Sequence, residues 1–260
     1  MRIIVSIKQV PDSSEVRFDK ETHTMIREGL PSIINPFDEN AIEAALQLRE
    51  EHGGQVIILC MGAPHAEEQL RQAVAMGADQ AILLSDRRFA LADTLATAYS
   101  LSTAIKKIGD YDLLLFGKQA IDGDTAQVGP GVAEMLGLPQ ITYVRKIQIS
   151  DSKVIAQRVL EDGYEIVQAT LPAVLTVVKE INEPRHASLR GVLKAKKVEI
   201  SIWKPEDIDA DPARIGKNGS PTDVIETFTP EPRGDSQQLS GTPEEIAQAL
   251  FALLRQQNII

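Results

Sequence analysis

The residues able to do chemistry gather in two polar stretches. The first is 117–130, GKQAIDGDTAQVGP. Asp124 and Gln127 stand three apart before a helical pattern at 132–136, which suits a capping-box-like arrangement. The amides of Thr125, Ala126, Gln127 and Val128 would then point out of the helix start, where a phosphate is welcome. Asp122 and Asp124 would repel a phosphate, so they read better as a helix cap and as an acceptor for ribose hydroxyls. Backbone amides and the Thr125 hydroxyl are left to meet the phosphate. An ordinary strand-to-helix connection, with both Asp residues forming turns, fits the same spacing. The stretch is neither G-x-G-x-x-G nor a P-loop.

The second stretch is 85–88, SDRR, with 93–97, DTLAT. Asp93 or Thr94 can cap a helix here, and Thr94 and Thr97 share a face of its first turn. Their hydroxyls could also meet a phosphate, and a plain capped surface helix is the simpler account of the same residues. Nothing pairs a nucleophile with a base: there is no G-x-S-x-G, no Cys–His arrangement and no carboxylate dyad. Any redox or group-transfer chemistry would therefore be a bound cofactor's own. A nucleotide-hydrolysing enzyme would need a Gly-rich phosphate-cleaving loop, and none is present.

Composition narrows the classes further. The 260 residues are 43% hydrophobic and carry 27 Lys and Arg against 37 Asp and Glu, a net charge of −10. Such an acidic chain is a poor polyanion binder, which argues against nucleic acid. Cys60 has no partner for a disulfide and reads as a small buried residue at a strand end. His23, His52, His65 and His186 lack metal-site spacing. No leader is expected, because Met1-Arg2 runs straight into Ile3-Ile4-Val5. No apolar run approaches the ~18 residues of a membrane span. The expectation is a soluble, cytoplasmic protein.

The positioning elements follow from periodicity. Short β-branched or apolar runs at 2–7, 55–61, 80–85 and 112–116 read as buried strands. Helical patterns cover 36–51, 65–76 and 92–108, with Pro36 in a first turn and Gly77 as a C-cap. This βαβ alternation predicts a mostly parallel twisted sheet with helices on both faces. Residues 9–34 are mixed, with turns at Pro11-Asp12 and 19–24 and room for a small hairpin. Strand-like runs at 141–149, 154–159, 165–169 and 174–178 are expected to extend the sheet, partly antiparallel. Residues 180–197 read as a surface loop leading to a helix or turn. Residues 204–242, rich in Pro, Gly, Asp and Ser, cannot build a core of their own. A last helix at 243–256 carries a Thr242–Glu245 capping box. The expected organisation is an α/β domain over 1–200 and an extended C-terminal arm over 201–260 that lies against another subunit.

Several stretches resemble the electron-transfer flavoprotein β subunit. They are A-x-R-x-x-E-D-G-x-E-x-V at 156–167, P-x-V-L-T at 172–176, GKQAID at 117–122, NPFD at 35–38, AMGAD at 75–79 and NEPRHASL at 182–189. The resemblance covers nearly the whole chain. It implies an adenine-nucleotide hydrolase-like α/β fold and a heterodimer with an α subunit that carries one FAD. The family's nucleotide site falls here on Ser6, Asn35, Pro36, Phe37, Asp38, Met61 and 117–128, including Gly117, Gln119, Ile121, Asp122 and Gly123. Ordinary members hold a structural AMP there, and electron-bifurcating members a second FAD.

The bifurcating kind is the closer likeness. Ordinary members tend toward D-D-D-x-x-Q in the loop, whereas this chain reads D-G-D-T-A-Q-V-G-P over 122–130. Asp93, Thr94, Leu95 and Thr97 resemble the same kind and would supply the second phosphate contact that a full FAD needs. The resemblance then implies hydride transfer from NADH to the β-subunit FAD. One electron leaves to ferredoxin or flavodoxin. The other passes through the α-subunit FAD to an acyl-CoA dehydrogenase-type partner. Arg87 is a candidate for flavin tuning or NADH contact. The family's partner-recognition loop falls on 185–194, with Arg185 and with Leu189 as its apolar anchor.

Overall fold

The computed structural model describes residues 1–12, 17–18, 25–26, 31–226, 228 and 238–260. The first strand, β1 (Arg2–Ile7), leads into four short ones: β2 (Gln9–Pro11), β3 (Arg17–Phe18), β4 (Met25–Ile26) and β5 (Ser32–Ile34). These pair antiparallel as β2–β5 and β3–β4, a small ribbon where a hairpin was expected. The turn expected at 19–24 lies outside the described residues. Then come α1 (Pro36–His52), β6 (Gln55–Met61), α2 (Glu67–Met76), β7 (Gln80–Leu84), α3 (Thr94–Ile108), β8 (Leu113–Gly117) and α4 (Val128–Leu136). Next are β9 (Gln140–Ser150), β10 (Lys153–Val159), β11 (Tyr164–Thr170), β12 (Ala173–Val177), α5 (Leu189–Ala195), β13 (Ser201–Trp203) and α6 (Pro243–Gln256).

Nine strands form one sheet in the order β11-β10-β9-β12-β8-β1-β6-β7-β13. The seven from β9 to β13 pair parallel, and β9, β10 and β11 form an antiparallel extension. The central strands are buried on both faces, which is why they read as unbroken apolar runs. Alternate residues of β1 divide between two cores. Ile3 and Val5 pack with Ile42, Ala45 and Leu46 of α1 and Leu70 and Val74 of α2. Ile4 packs with Ala98, Leu101 and Ile105 of α3 and Val132 and Ala133 of α4. Helices therefore cover both faces, as the alternation predicts.

The division of the chain differs from the sequence expectation. Met1–Ile225 forms one compact unit and Glu226–Ile260 a second. Residues 201–225 belong to the first, because β13 adds to the sheet beside β7, and Ile208 and Ile215 are buried in the α3–α4 core. A segment too polar for a core of its own still buries two apolar side chains against an existing one. In the second unit, α6 has the expected capping box: Thr242 Oγ1 accepts from the Glu245 amide, and the Glu245 carboxylate accepts from the Thr242 amide. No described helix is long and apolar enough to cross a membrane.

Candidate functional site

Strand order locates the crevice. β1 and β8 are neighbours, yet the chain leaves β1 toward α1 on one face and leaves β8 toward α4 on the other. Ligands of open α/β sheets bind outside the carboxyl ends of strands at such a switch point. Ser6 of β1, Met61 of β6 and Gly117 of β8 stand at the carboxyl ends of three adjacent strands.

The start of α1 ties the two sides of this crevice together. Pro36 opens the helix in its first turn, and Asp38 and Glu39 suit the positive end of its dipole. Asn35, wholly buried, does not cap the helix with its side chain. Its Nδ2 instead donates to the Gln119 carbonyl at 2.8 Å, and its Oδ1 accepts from the Ile121 amide at 3.1 Å. Asp38 Oδ2 accepts from the Lys8 amide at 2.7 Å, and Oδ1 from the Gly117 amide at 3.1 Å. Position 117 requires glycine: a Cβ there would lie 2.3 Å from Asp38 Oδ1 and 2.7 Å from the Phe37 backbone. Lys118 places its ammonium 5.9 Å from the centre of the Phe37 ring. Burial pushes the Asp38 carboxyl up to about 7, against the opposing hydrogen bonds from Lys8, Asn35 and Gly117.

The loop beyond Gly117 differs in detail from its expected form. The Gly123 and Asp124 amides close a turn onto the Ala120 carbonyl. α4 begins at Val128 with Gln127 as its N-cap, so Asp124 stands three residues too early for a capping box. The Asp124 carboxylate accepts from the Gln119 side chain instead. Asp122 does not present both oxygens to a ribose, because Oδ1 takes the Lys8 ammonium at 2.6 Å and the side chain is nearly buried. The loop amides fit the expectation. Those of Thr125, Ala126, Gln127 and Val128 donate to no protein acceptor among the described residues. Asp124 and Ala126 have φ of +53° and +54°, in the left-handed region. Nothing lies within 4 Å of a Cβ built on Gly123, so the loop is open there. Free amides, the Thr125 hydroxyl and open space fit a phosphate.

The second stretch meets the first. Thr94 Oγ1 donates to Gln127 Oε1 at 2.9 Å, joining the start of α3 to the start of α4. Asp93 is the α3 cap: Oδ1 accepts from the Leu95 and Ala96 amides at 3.0 Å. Its Oδ2 accepts from the Thr222 hydroxyl at 2.9 Å, and its amide donates to Ser220 Oγ at 2.8 Å. Burial pushes Asp93 up, but the bonds from Ala96, Thr222 and Leu95 outweigh it and hold the carboxyl below its usual range. Asp93 is thus spent on structure, and Thr94 and Thr97 stand half-buried on the first turn of α3. Leu95 is half exposed on the same turn.

The remaining candidates lie apart. Arg87 is exposed in a 3₁₀ turn after β7, while Arg88 pairs with Asp86 and Glu206. Arg185 turns back onto α1, with Nε 2.7 Å from Glu43 Oε2 and Nη1 2.5 Å from Glu50 Oε1. Leu189 opens α5 and is 79% exposed. Cys60 is buried, and burial and then Asp38 push its thiol up to about 12. Among the described residues no group of His, Cys, Asp and Glu is placed to hold a metal ion. Sequence reasoning missed Lys8, whose only signal is a lone cation just past the first strand. It also missed the Ser220–Thr222 clasp on Asp93, 127 and 129 residues away, which has no local signal.

A helix-covered parallel sheet with unsatisfied amides at its switch point defines an α/β chain of the ligand-binding class. The electron transfer flavoprotein domain model matches residues 22–208. The "Caffeyl-CoA reductase-Etf complex subunit CarD" of Acetobacterium woodii is 50% identical over 262 residues, all of both chains. The "Electron transfer flavoprotein subunit beta" of Thermoanaerobacterium thermosaccharolyticum is 51% identical over 261 residues, again all of both chains. The protein of that name from Clostridium acetobutylicum is 46% identical over 260 residues, with the same full coverage. The chain belongs to the electron transfer flavoprotein family, and its resemblance is to the β subunit.

Proposed function

We propose that this chain is the β subunit of an electron-bifurcating flavoprotein. In this reading it takes electrons from NADH and divides them between two acceptors. One is ferredoxin or flavodoxin. The other is an acyl-CoA dehydrogenase-type partner, reached through the FAD of the α subunit. The carrying observation is the Thr94–Gln127 hydrogen bond. It sets two phosphate-suited stretches side by side, which a dinucleotide uses and a mononucleotide does not. The relative named as a subunit of a caffeyl-CoA reductase–Etf complex supports an acyl-CoA-directed partner.

FAD, when bound, supplies the two-electron and one-electron chemistry. The residues of this chain hold and shield it. Asn35 to Asp38, Ser6, Met61 and 117–128 would frame the adenosine and its phosphate. Thr94, Thr97 and the Leu95 turn would meet the second phosphate. Arg87, free of ion pairs among the described residues, would be a cation for the flavin or NADH. The exposed Leu189 would anchor the dehydrogenase partner, and the arm with α6 would lie on the α subunit. A cytoplasmic location belongs to the same reading.

The second reading is an ordinary β subunit holding a structural AMP, which the amides of 125–128 alone could satisfy. Flavin and nucleotide content of the purified αβ complex separates the two. Two FAD per heterodimer, one of them reduced by NADH, is the expected result. One FAD with one AMP would sink the bifurcating reading.

A further inference from the structure

We infer that Lys8 is a positioning residue of the nucleotide site, an internal counterion that makes an acidic loop acceptable to a phosphate. The inference rests on the reading that 117–128 holds the phosphate of an adenine nucleotide. The loop poses an electrostatic problem. Asp122 and Asp124 stand three residues and one residue before Thr125, where the phosphate-suited amides begin. Three residues of chain span at most about 11 Å, which is on the order of one screening length in salt. A charge on either side chain therefore acts on a bound phosphate.

Lys8 meets this problem from across the switch point. Its ammonium lies 2.6 Å from Asp122 Oδ1, and the Asp122 side chain is 5% exposed. A carboxylate so buried needs a charged or hydrogen-bonding partner. The lysine is also fixed at its root. Its amide donates to Asp38 Oδ2 at 2.7 Å, and its carbonyl accepts from the Asn35 amide at 2.9 Å. The residues that open α1 thus set where the ammonium can reach. Neighbouring polar groups are engaged differently. Lys118 places its ammonium 5.9 Å from the centre of the Phe37 ring and 5.2 Å from that of Tyr143. Asp124 accepts from the neutral side chain of Gln119. Removing Lys8 moves the charge beside the loop by one unit toward negative, whatever else Asp122 touches. A phosphate feels that unit and a neutral nucleoside does not. A mere staple of the loop would act on both alike.

The probes are AMP and adenosine, which share base and ribose and differ in the phosphate. Both are measured on the full chain freed of nucleotide, AMP by calorimetric titration and adenosine by displacement of AMP. The pH is held at about 8, where the phosphate is fully ionised. Lys8→Met is expected to lower the AMP-to-adenosine affinity ratio roughly tenfold, the effect of one charge about 10 Å away near a protein surface. Asp122→Asn should raise the same ratio, and the double variant should return it to near the wild-type value. Lys8→Arg should keep it. Any ribose contact of Asp122 is common to both probes and cancels from the ratio. Equal losses for AMP and adenosine in Lys8→Met, or a double variant no better than Lys8→Met, overturn the inference and leave the site reading intact. No binding of AMP by the wild type overturns the site reading with it. Should Lys8→Met not fold, Asp122→Asn still decides, because an unchanged or lowered ratio there defeats the counterion role.

Discussion

At the scale of single residues, the site is organised by side chains that read as ligand contacts in sequence and that also act as fasteners in the fold. NPFD at 35–38 is polar beside a predicted crevice, so ligand contact is the natural expectation. The structure commits the Asn35 and Asp38 side chains to backbone amides and a carbonyl as well. Buried polar groups must be paired, and here the partners stand 30, 79, 84 and 86 residues away, beyond the reach of local sequence. Gly117→Ala tests the tightness of this packing. Its Cβ would overlap Asp38 Oδ1, so the variant should lose about 1–3 kcal/mol in urea unfolding, the usual cost of overpacking. Asp38 also shapes stability with pH. Its folded value is raised, so its contribution is fully present below about 4 and is lost as pH rises toward 7. Urea midpoints for wild type minus Asp38→Asn should therefore fall over that window. A difference independent of pH would contradict the burial of the charge.

At the scale of elements, hydrophobic period and end signals carried most of the information. Strands 2–7 and 55–61 coincide with β1 and β6, and the C-cap at Gly77 and the capping box of α6 stand as read. Boundaries moved where a non-local partner intervened. The helix expected from 92 starts at Thr94, because Asp93 is fixed as cap by Ser220 and Thr222. The Asp124–Gln127 box failed because Gly123 and Asp124 turn onto Ala120 before α4 begins. Asp93→Ala separates local capping from the clasp. The lost cap should cost about 1–2 kcal/mol of stability. Loss of the Thr222 contacts should also expose 213–222 to limited proteolysis. Asp93 is held below its usual range, so its contribution is present above the ordinary carboxylate value and fades in acid. Destabilisation without new cleavage would mean that the Ser220 bond to the residue-93 amide and the 3₁₀ turn at Gly216–Gly219 secure the segment.

At the scale of the whole molecule, the parallel core and its helix layers were legible in the alternation of runs, but the order of strands was not. That order makes β1 and β8 neighbours, and hence creates the switch point at which the loop works. The boundary expected at 200 moved to 225 because β13 and two buried isoleucines join the first unit. The same unit presents an apolar face on a fixed mount. Leu189, Val192 and Leu193 are exposed on α5. A Cβ on Gly191 would lie 2.0 Å from the Ala75 carbonyl oxygen, so α5 packs closely on the end of α2. Arg185 meanwhile anchors the preceding loop to Glu43 and Glu50 of α1. A contact residue held ready in this way gives up little entropy on binding. If this face receives the dehydrogenase-type partner, Leu189→Ser should leave folding and flavin content unchanged, since surface substitutions rarely exceed about 0.5 kcal/mol. Electron transfer to the partner should slow on the order of thirtyfold at limiting partner concentration, the loss for a hot spot of about 2 kcal/mol. Arg185→Ala should weaken the same transfer less, by loosening the mount rather than removing the anchor. Equal rates for wild type and Leu189→Ser would move the partner surface elsewhere on the molecule.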